Sequence, residues 1–232
     1  MINKRVNILT LLIALLLLTF ETEAQIFKRQ EGGGFLSIFK KEKKTEQPVI
    51  DIHTLTIDEN KNLLQIQSSI ARKKIKEYMA NEQKRLLKVK NISAVKLERE
   101  GEILKAVLPM EKLFLPNDVT LWNRAEMMLR PFVKYFEQKG VFHILIVTHS
   151  DNTGSIDYNL TLTSSRAEAI LQWFITEGAD KEGVVTYAMG GEEPLNKNRT
   201  MAERAQNRRA EIYIIPGEEM IRQAQRGKLD IK

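Results

Sequence analysis

A short run, Ile144-Leu145-Ile146-Val147, restricts this chain more than any other feature. It is too brief for a helix and rich in β-branched residues, and it stops at the polar cluster His149-Ser150-Asp151-Asn152-Thr153-Gly154. The pattern predicts a buried strand running into a loop. Ala167, Ile170, Leu171 and Phe174 then recur at helical spacing, with Thr163 as the expected N-cap. Asp151 therefore sits where the strand gives out, and Arg166 in the first turn of the helix. In open sheets such a crevice is where ligands commonly bind. A guanidinium in a first helical turn works against the dipole by roughly 0.3–1 kcal/mol. With the unpaired backbone N–H groups it would suit a carboxylate, and Asp151 would suit an ammonium. An amino acid carries both groups. The alternative is that Asp151 and Arg166 pair with each other or with solvent.

The flanking sequence alternates strands and helices. Ser93 to Arg99 and Ile103 to Leu108, around Glu100-Gly101, predict a hairpin. Trp122, Met128, Leu129, Phe132 and Phe136 mark an amphipathic helix that Pro131 kinks. After a helix stop at Gly178 comes a strand over Val184 to Tyr187, then the loop Gly190-Gly191-Glu192-Glu193-Pro194. A short helix from Thr200 to Asn207 leads to the last strand, Glu211 to Ile215, which Pro216-Gly217 ends. The class is α/β with a mixed sheet.

Upstream, Met1 to Ala24 has a basic start (Lys4, Arg5), an apolar run from Val6 to Phe20 and small residues before the end. It reads as a signal peptide cleaved after Ala24. The alternative, an uncleaved anchor, needs roughly 20 apolar residues, more than this run supplies. Residues 25–47, with Gly32-Gly33-Gly34 and Lys40, Lys41, Lys43 and Lys44, form a basic tether. Its apolar interruption, Phe35-Leu36-Ser37-Ile38-Phe39, is either a docking peptide or packs back on the domain. Residues 48–90 make a helical extension, with helical pattern from Asn62 to about Lys90 and a thin stripe through Leu63, Ile66 and Ile70, continued imperfectly by Ile75, Tyr78 and Met79, that offers a homodimer contact. Its other faces carry many Lys and Arg, and the tether before it holds +3 of the chain's net charge of +6. For an exported protein they predict a solvated face and no nucleic acid. Cysteine is absent, and His53, His143 and His149 are the only histidines. A structural zinc site and a thiol nucleophile are excluded, and no metal or cofactor is expected.

The segment around Asp151 resembles the peptidoglycan-binding module of the OmpA-like family, shared by OmpA C-terminal domains, Pal lipoproteins and MotB stator proteins. The family's HTD-x-x-G loop stands here as His149 to Gly154, with Ser150 for threonine. Its N-x-x-L-S-x-x-R-A helix start stands as Asn159 to Ala167, with Thr163 for serine. Its G-x-G-E-x-x-P loop is matched loosely by Ala188 to Pro194, and its N-R-R-x-E-I strand entry fully by Asn207 to Ile212. The resemblance covers about half the chain and places the domain at residues 91–216, followed by a polar tail over 217–232. It implies an α/β sandwich with a mixed sheet of about four strands and helices packed on one side. A Pal-type lipid anchor would need a cysteine that this sequence lacks.

The resemblance also implies a ligand, the diaminopimelate of peptidoglycan stem peptides. Asp151 would take its ammonium and Arg166 its carboxylate, with Asn159 and Thr153 hydrogen-bonding. Asn117 and Asp118 carry over more loosely, because Leu115-Pro116 departs from the family's usual acidic position. Arg208 would brace the site from the last strand, and His149 would be structural. No G-x-S-x-G elbow, P-loop or dinucleotide pattern occurs, so a non-catalytic binder is expected. It would sit in the periplasm at the wall, near the outer membrane, with an envelope or outer-membrane protein docking on residues 25–90. The rival is an adaptor or stator-like protein that uses the same fold for a protein partner.

Overall fold

The computed structural model describes residues 66–231. The expected signal peptide, tether, apolar docking peptide and first residues of the helical extension lie outside them. Helix α1 spans Ser69–Leu86, so it starts later than the expected Asn62, and Ser68 caps it by accepting from the Ala71 N–H at 3.3 Å. Strands β1 (Ala94–Glu98) and β2 (Ile103–Pro109) form the hairpin, turned by Arg99, Glu100 and Gly101, all at positive φ. A single helical turn, α2 (Met110–Leu113), follows. The helix expected around Pro131 is a short α-helix, α3 (Glu126–Leu129), that tightens into a 3-10 helix over Arg130–Phe136 with proline in its first turn. Then come β3 (Phe142–His149), α4 (Ile156–Thr176), β4 (Val184–Ala188), α5 (Met201–Asn207), β5 (Arg209–Pro216) and α6 (Glu218–Gln225).

The sheet has five strands rather than about four, in the order β1-β2-β5-β3-β4. It is mixed: β3 and β4 run parallel, and the other pairs are antiparallel. The two strands of the expected hairpin and the three expected after it account for all five. Leu104, Ala106, Leu108, Ile144, Ile146, Ile212 and Ile214 project to one face and meet Ile75, Met79, Leu86, Phe132, Ile170 and Phe174 in the main core. A smaller cluster, with Leu145, Val147, Tyr213 and Ile215, lies on the other face.

Helix α1 belongs to that main core. Its inward line is Ala71, Ile75, Met79, Glu82 and Leu86, whereas Ile70, expected on the apolar stripe, is 62% exposed. The capped start at Ser69 sets the helix so that the line through Ile75 and Met79 faces the sheet. Buried Glu82 is satisfied by Tyr135 Oη at 2.6 Å, Arg85 Nε at 2.8 Å and Lys134 Nζ at 3.1 Å, which fasten α1 to the 3-10 segment. Of the stripe expected to offer a homodimer contact, Ile66 is buried in the chain's own core, Ile70 is exposed, and Leu63 lies outside the described residues. Among the described residues no helix is long and apolar enough to cross a membrane.

Candidate functional site

A cavity of about 310 Å³ opens where β3 ends. Its walls are the Ser150–Thr153 loop, one face of α4 (Tyr158, Asn159, Leu162, Arg166), the segment from Met110 to Asn117, and Arg208. Register explains the assembly. β3 and β5 are antiparallel with His149 opposite Arg209, so the residue before β5 lies beside the loop after β3.

The Asp151 loop is tightly built. One carboxylate oxygen accepts from the Thr153 N–H at 2.8 Å and from the Thr153 hydroxyl; the other accepts from Arg208 Nη1 at 2.5 Å. Burial alone would raise the Asp151 carboxyl, but the Thr153 and Arg208 bonds hold it below the usual carboxylate range. Asn159 clamps the same loop, its Nδ2 donating to Thr153 O at 2.9 Å and to Asp151 O at 3.4 Å. From behind, the Ser150 N–H donates to Gly190 O at 2.6 Å. A Cβ at Gly191 would stand 2.7 Å from Asp151 O, so only glycine permits this approach.

The helix does not begin where the sequence suggests. Ser155, not Thr163, is the N-cap, accepting from the Tyr158 N–H at 3.2 Å. Thr161 and Thr163 stay helical because their hydroxyls bond back to the carbonyls of Asp157 and Asn159 at 2.8 and 2.7 Å. Thr163 also accepts from the Gly190 N–H at 3.1 Å and so joins helix to loop. Arg166 accordingly lies deep in α4, beyond the reach of the N-terminal dipole, and the expected opposition between its charge and the helix end does not arise.

Arg166 is 5% exposed. Its Nε donates to Asp118 O at 2.9 Å and its Nη2 to Leu115 O at 3.3 Å, with the guanidinium 5.2 Å from the centre of the Phe114 ring. No carboxylate among the described residues lies within ion-pair distance of it. Burial pulls its pKa down from the ordinary arginine value, Tyr158 and Asp118 oppose that, and Arg208 adds repulsion. Asp151 and Arg166 thus share a cavity without pairing with each other.

The structure brings Asp151, Thr153, Asn159, Asn117, Arg166 and Arg208 to one cavity. Asn117, at φ +58°, accepts from Tyr158 Oη at 3.4 Å. Asp118 is elsewhere: its carboxylate caps its own loop at the Val119 and Thr120 N–H groups, its carbonyl accepts from Arg166, and its carboxylate acts on that guanidinium through charge without bonding it. His149 is buried behind the site, with Nε2 4.0 Å from a Glu211 oxygen. Among the lining residues that escaped the sequence reading are Tyr158 and Glu111. Tyr158 is spaced with Leu162 and Arg166 at successive turns of α4, a signal that was available. Glu111 had none, because nothing in its neighbourhood foretold the turn α2.

Fold and cavity define a class, an α/β domain with a charged pocket at the open end of its central strands. Residues 113–208 match the model of the OmpA family, and this part of the chain is an OmpA-like domain. The chain is 27% identical over 124 residues to the probable lipoprotein YiaD of Escherichia coli K12, which covers 53% of this chain and 57% of that protein. It is 27% identical over 117 residues to the peptidoglycan-associated lipoprotein of Legionella pneumophila, 50% of this chain and 66% of that one. The chain therefore spans less than two thirds of either relative. In fold it is similar to a putative MotB-like protein from Desulfovibrio vulgaris, with a TM-score of 0.54 and 21% identity over 63% of this chain and 98% of that one.

Proposed function

We propose that this protein binds peptidoglycan without catalysis, through the diaminopimelate of a stem peptide, and so tethers the cell envelope to the wall. One observation carries the reading: Arg166 is a buried cation with no carboxylate within ion-pair distance among the described residues, opening on a cavity of amino-acid size. A charge in that position is costly unless an anion completes it. A ligand carboxylate held by a guanidinium contributes roughly 1.5–3 kcal/mol, which suits weak single-site binding to a repetitive polymer. Asp151 supplies the negative side, oriented by Thr153 and Arg208, and Asn159 and Asn117 complete the rim. The relative whose name denotes association with peptidoglycan supports the ligand class. Export by the first 24 residues and a periplasmic location at the wall belong to the same proposal.

The test is co-sedimentation of the full-length chain with purified sacculi. The full chain is needed because α1 sits in the main core. Arg166→Ala is expected to lower the bound fraction at least tenfold, while circular dichroism reports the same fold. Equal retention of the variant would remove the pocket from the function and favour the adaptor alternative.

A further inference from the structure

The two edges of the sheet are finished differently. At β1, Lys96 and Glu98 place charge along the strand, and Gln83 of α1 donates from Nε2 to Val95 O at 2.9 Å. Charge, and edge groups already taken up, are ordinary protections against pairing with a second strand. β4 has neither. Its five residues, Val184-Val185-Thr186-Tyr187-Ala188, include no charge and no proline. The Met189 N–H donates to Thr148 O at 2.9 Å, so alternate residues of β4 turn their main-chain groups to β3, and Val184, Thr186 and Ala188 turn theirs outward. Among the described residues no strand pairs with that edge.

We infer that the free edge of β4 is the contact between two copies of this chain, paired antiparallel about a twofold axis through Thr186 so that the two sheets run on as one. Such an axis sets Thr186 against itself and Val184 against Ala188, and the outward groups of these residues make about six main-chain hydrogen bonds. Val185 then stands across from Tyr187, a β-branched residue against an aromatic one, which is a favourable cross-strand pair. Helix α4, which packs on β4, exposes Thr161, Ser164, Ser165, Glu168 and Gln172 along its middle, so little charge opposes a second helix beside it. A neutral edge that complements itself fits a second copy and offers nothing to select a charged peptide. Five paired residues fall short of the roughly 1,000 Å² of a lasting interface, so the dimer forms and parts with concentration. β4 runs on through Met189 into Gly190 and Gly191, which back the Asp151 loop, so antiparallel pairing sets the two cavities at opposite ends of the joint. The joint itself stands apart from the reading of the cavity proposed above.

Sedimentation velocity of the full-length chain over a concentration series tests the joint. Wild type is expected to shift from monomer to dimer as concentration rises. Thr186→Lys and Thr186→Glu each set like charges face to face and should weaken the dimer about tenfold or more. An equimolar mixture of the two should restore it, which misfolded variants could not do. The pairing also puts the two Thr186 Cα atoms about 5.5 Å apart, within disulfide reach. The chain has no cysteine, so Thr186→Cys should cross-link to itself under oxidation, and Lys96→Cys, on the other edge, should not. A wild type that stays monomeric at every concentration overturns the joint. So does a dimer that both charged variants keep, or a Thr186→Cys chain that links no better than Lys96→Cys. Each of those results leaves sacculus binding, and with it the proposed function, untouched.

Discussion

Arg208 and Arg209 are neighbours in sequence and opposites in surroundings. Arg209 is sealed: its side chain is 3% exposed, its Nε is 2.7 Å from Glu211 Oε1, and its other nitrogens donate to Asn207 O and Glu193 O. Glu211 is filled on its second oxygen by Tyr213 Oη at 2.6 Å. Arg208 is 36% exposed and holds Asp151 at the lip of the cavity. Extended backbone sends successive side chains to opposite sides, so one strand entry builds both a closed ion pair and an open one. Arg166 is a third case, buried like Arg209 but without its carboxylate. Where countercharges come from within the chain, the arginine fastens the fold. Where, among the described residues, they do not, as at Arg166, the guanidinium is bonded by carbonyls alone.

The largest way to break this contrast is Arg209→Met, which strands the Glu211 carboxylate beneath the sheet. It should cost about 3–5 kcal/mol of stability in urea unfolding. Next comes Gly191→Ala, whose Cβ would collide with the Asp151 carbonyl. A melting curve should show a loss of about 1–3 kcal/mol, with sacculus binding weakened because the Asp151 loop is displaced.

The sealed pair also has an acid signature. Burial alone would raise the Glu211 carboxyl, but Arg209, His149 and Lys105 bring it down to about 2. A carboxyl depressed on folding contributes stability that is complete above its unfolded value of roughly 4.3. That contribution declines as pH falls through this value and is gone below the folded one. Denaturation midpoints across this window should fall in wild type, and Glu211→Gln should flatten the slope. The smallest effect on stability is expected at the open cation. Arg166→Met should change unfolding free energy by less than about 1 kcal/mol, or raise it, because a desolvated charge is replaced by an apolar chain. A loss as large as that of Arg209→Met would erase the difference between the two arginines.

Much of this was legible in the sequence because it is local. The β-branched run of β3, the polar loop after it, the helix stop at Gly178 and the strand entry at Asn207 to Ile212 each announce themselves within a few residues. The start of α4 did not: the sequence points to Thr163 as the cap, and the structure caps the helix at Ser155. The choice between them depends on Thr163 bonding back within the helix and receiving the Gly190 N–H from a distant loop. The inward line of α1 was legible at Ile66, Ile75 and Met79, and was missed at Ile70, which is exposed, because the helix is turned by the sheet it covers.

The sequence by itself determined which elements form and which charged residues stand at their ends, because backbone preference and side-chain periodicity act over one or two turns. Only the tertiary structure decided which charges are spent on one another. Asp151 takes Arg208 rather than Arg166 because the antiparallel register of β3 and β5 carries Arg208 to it across the sheet, while the length of α4 carries Arg166 to the carbonyls of Leu115 and Asp118.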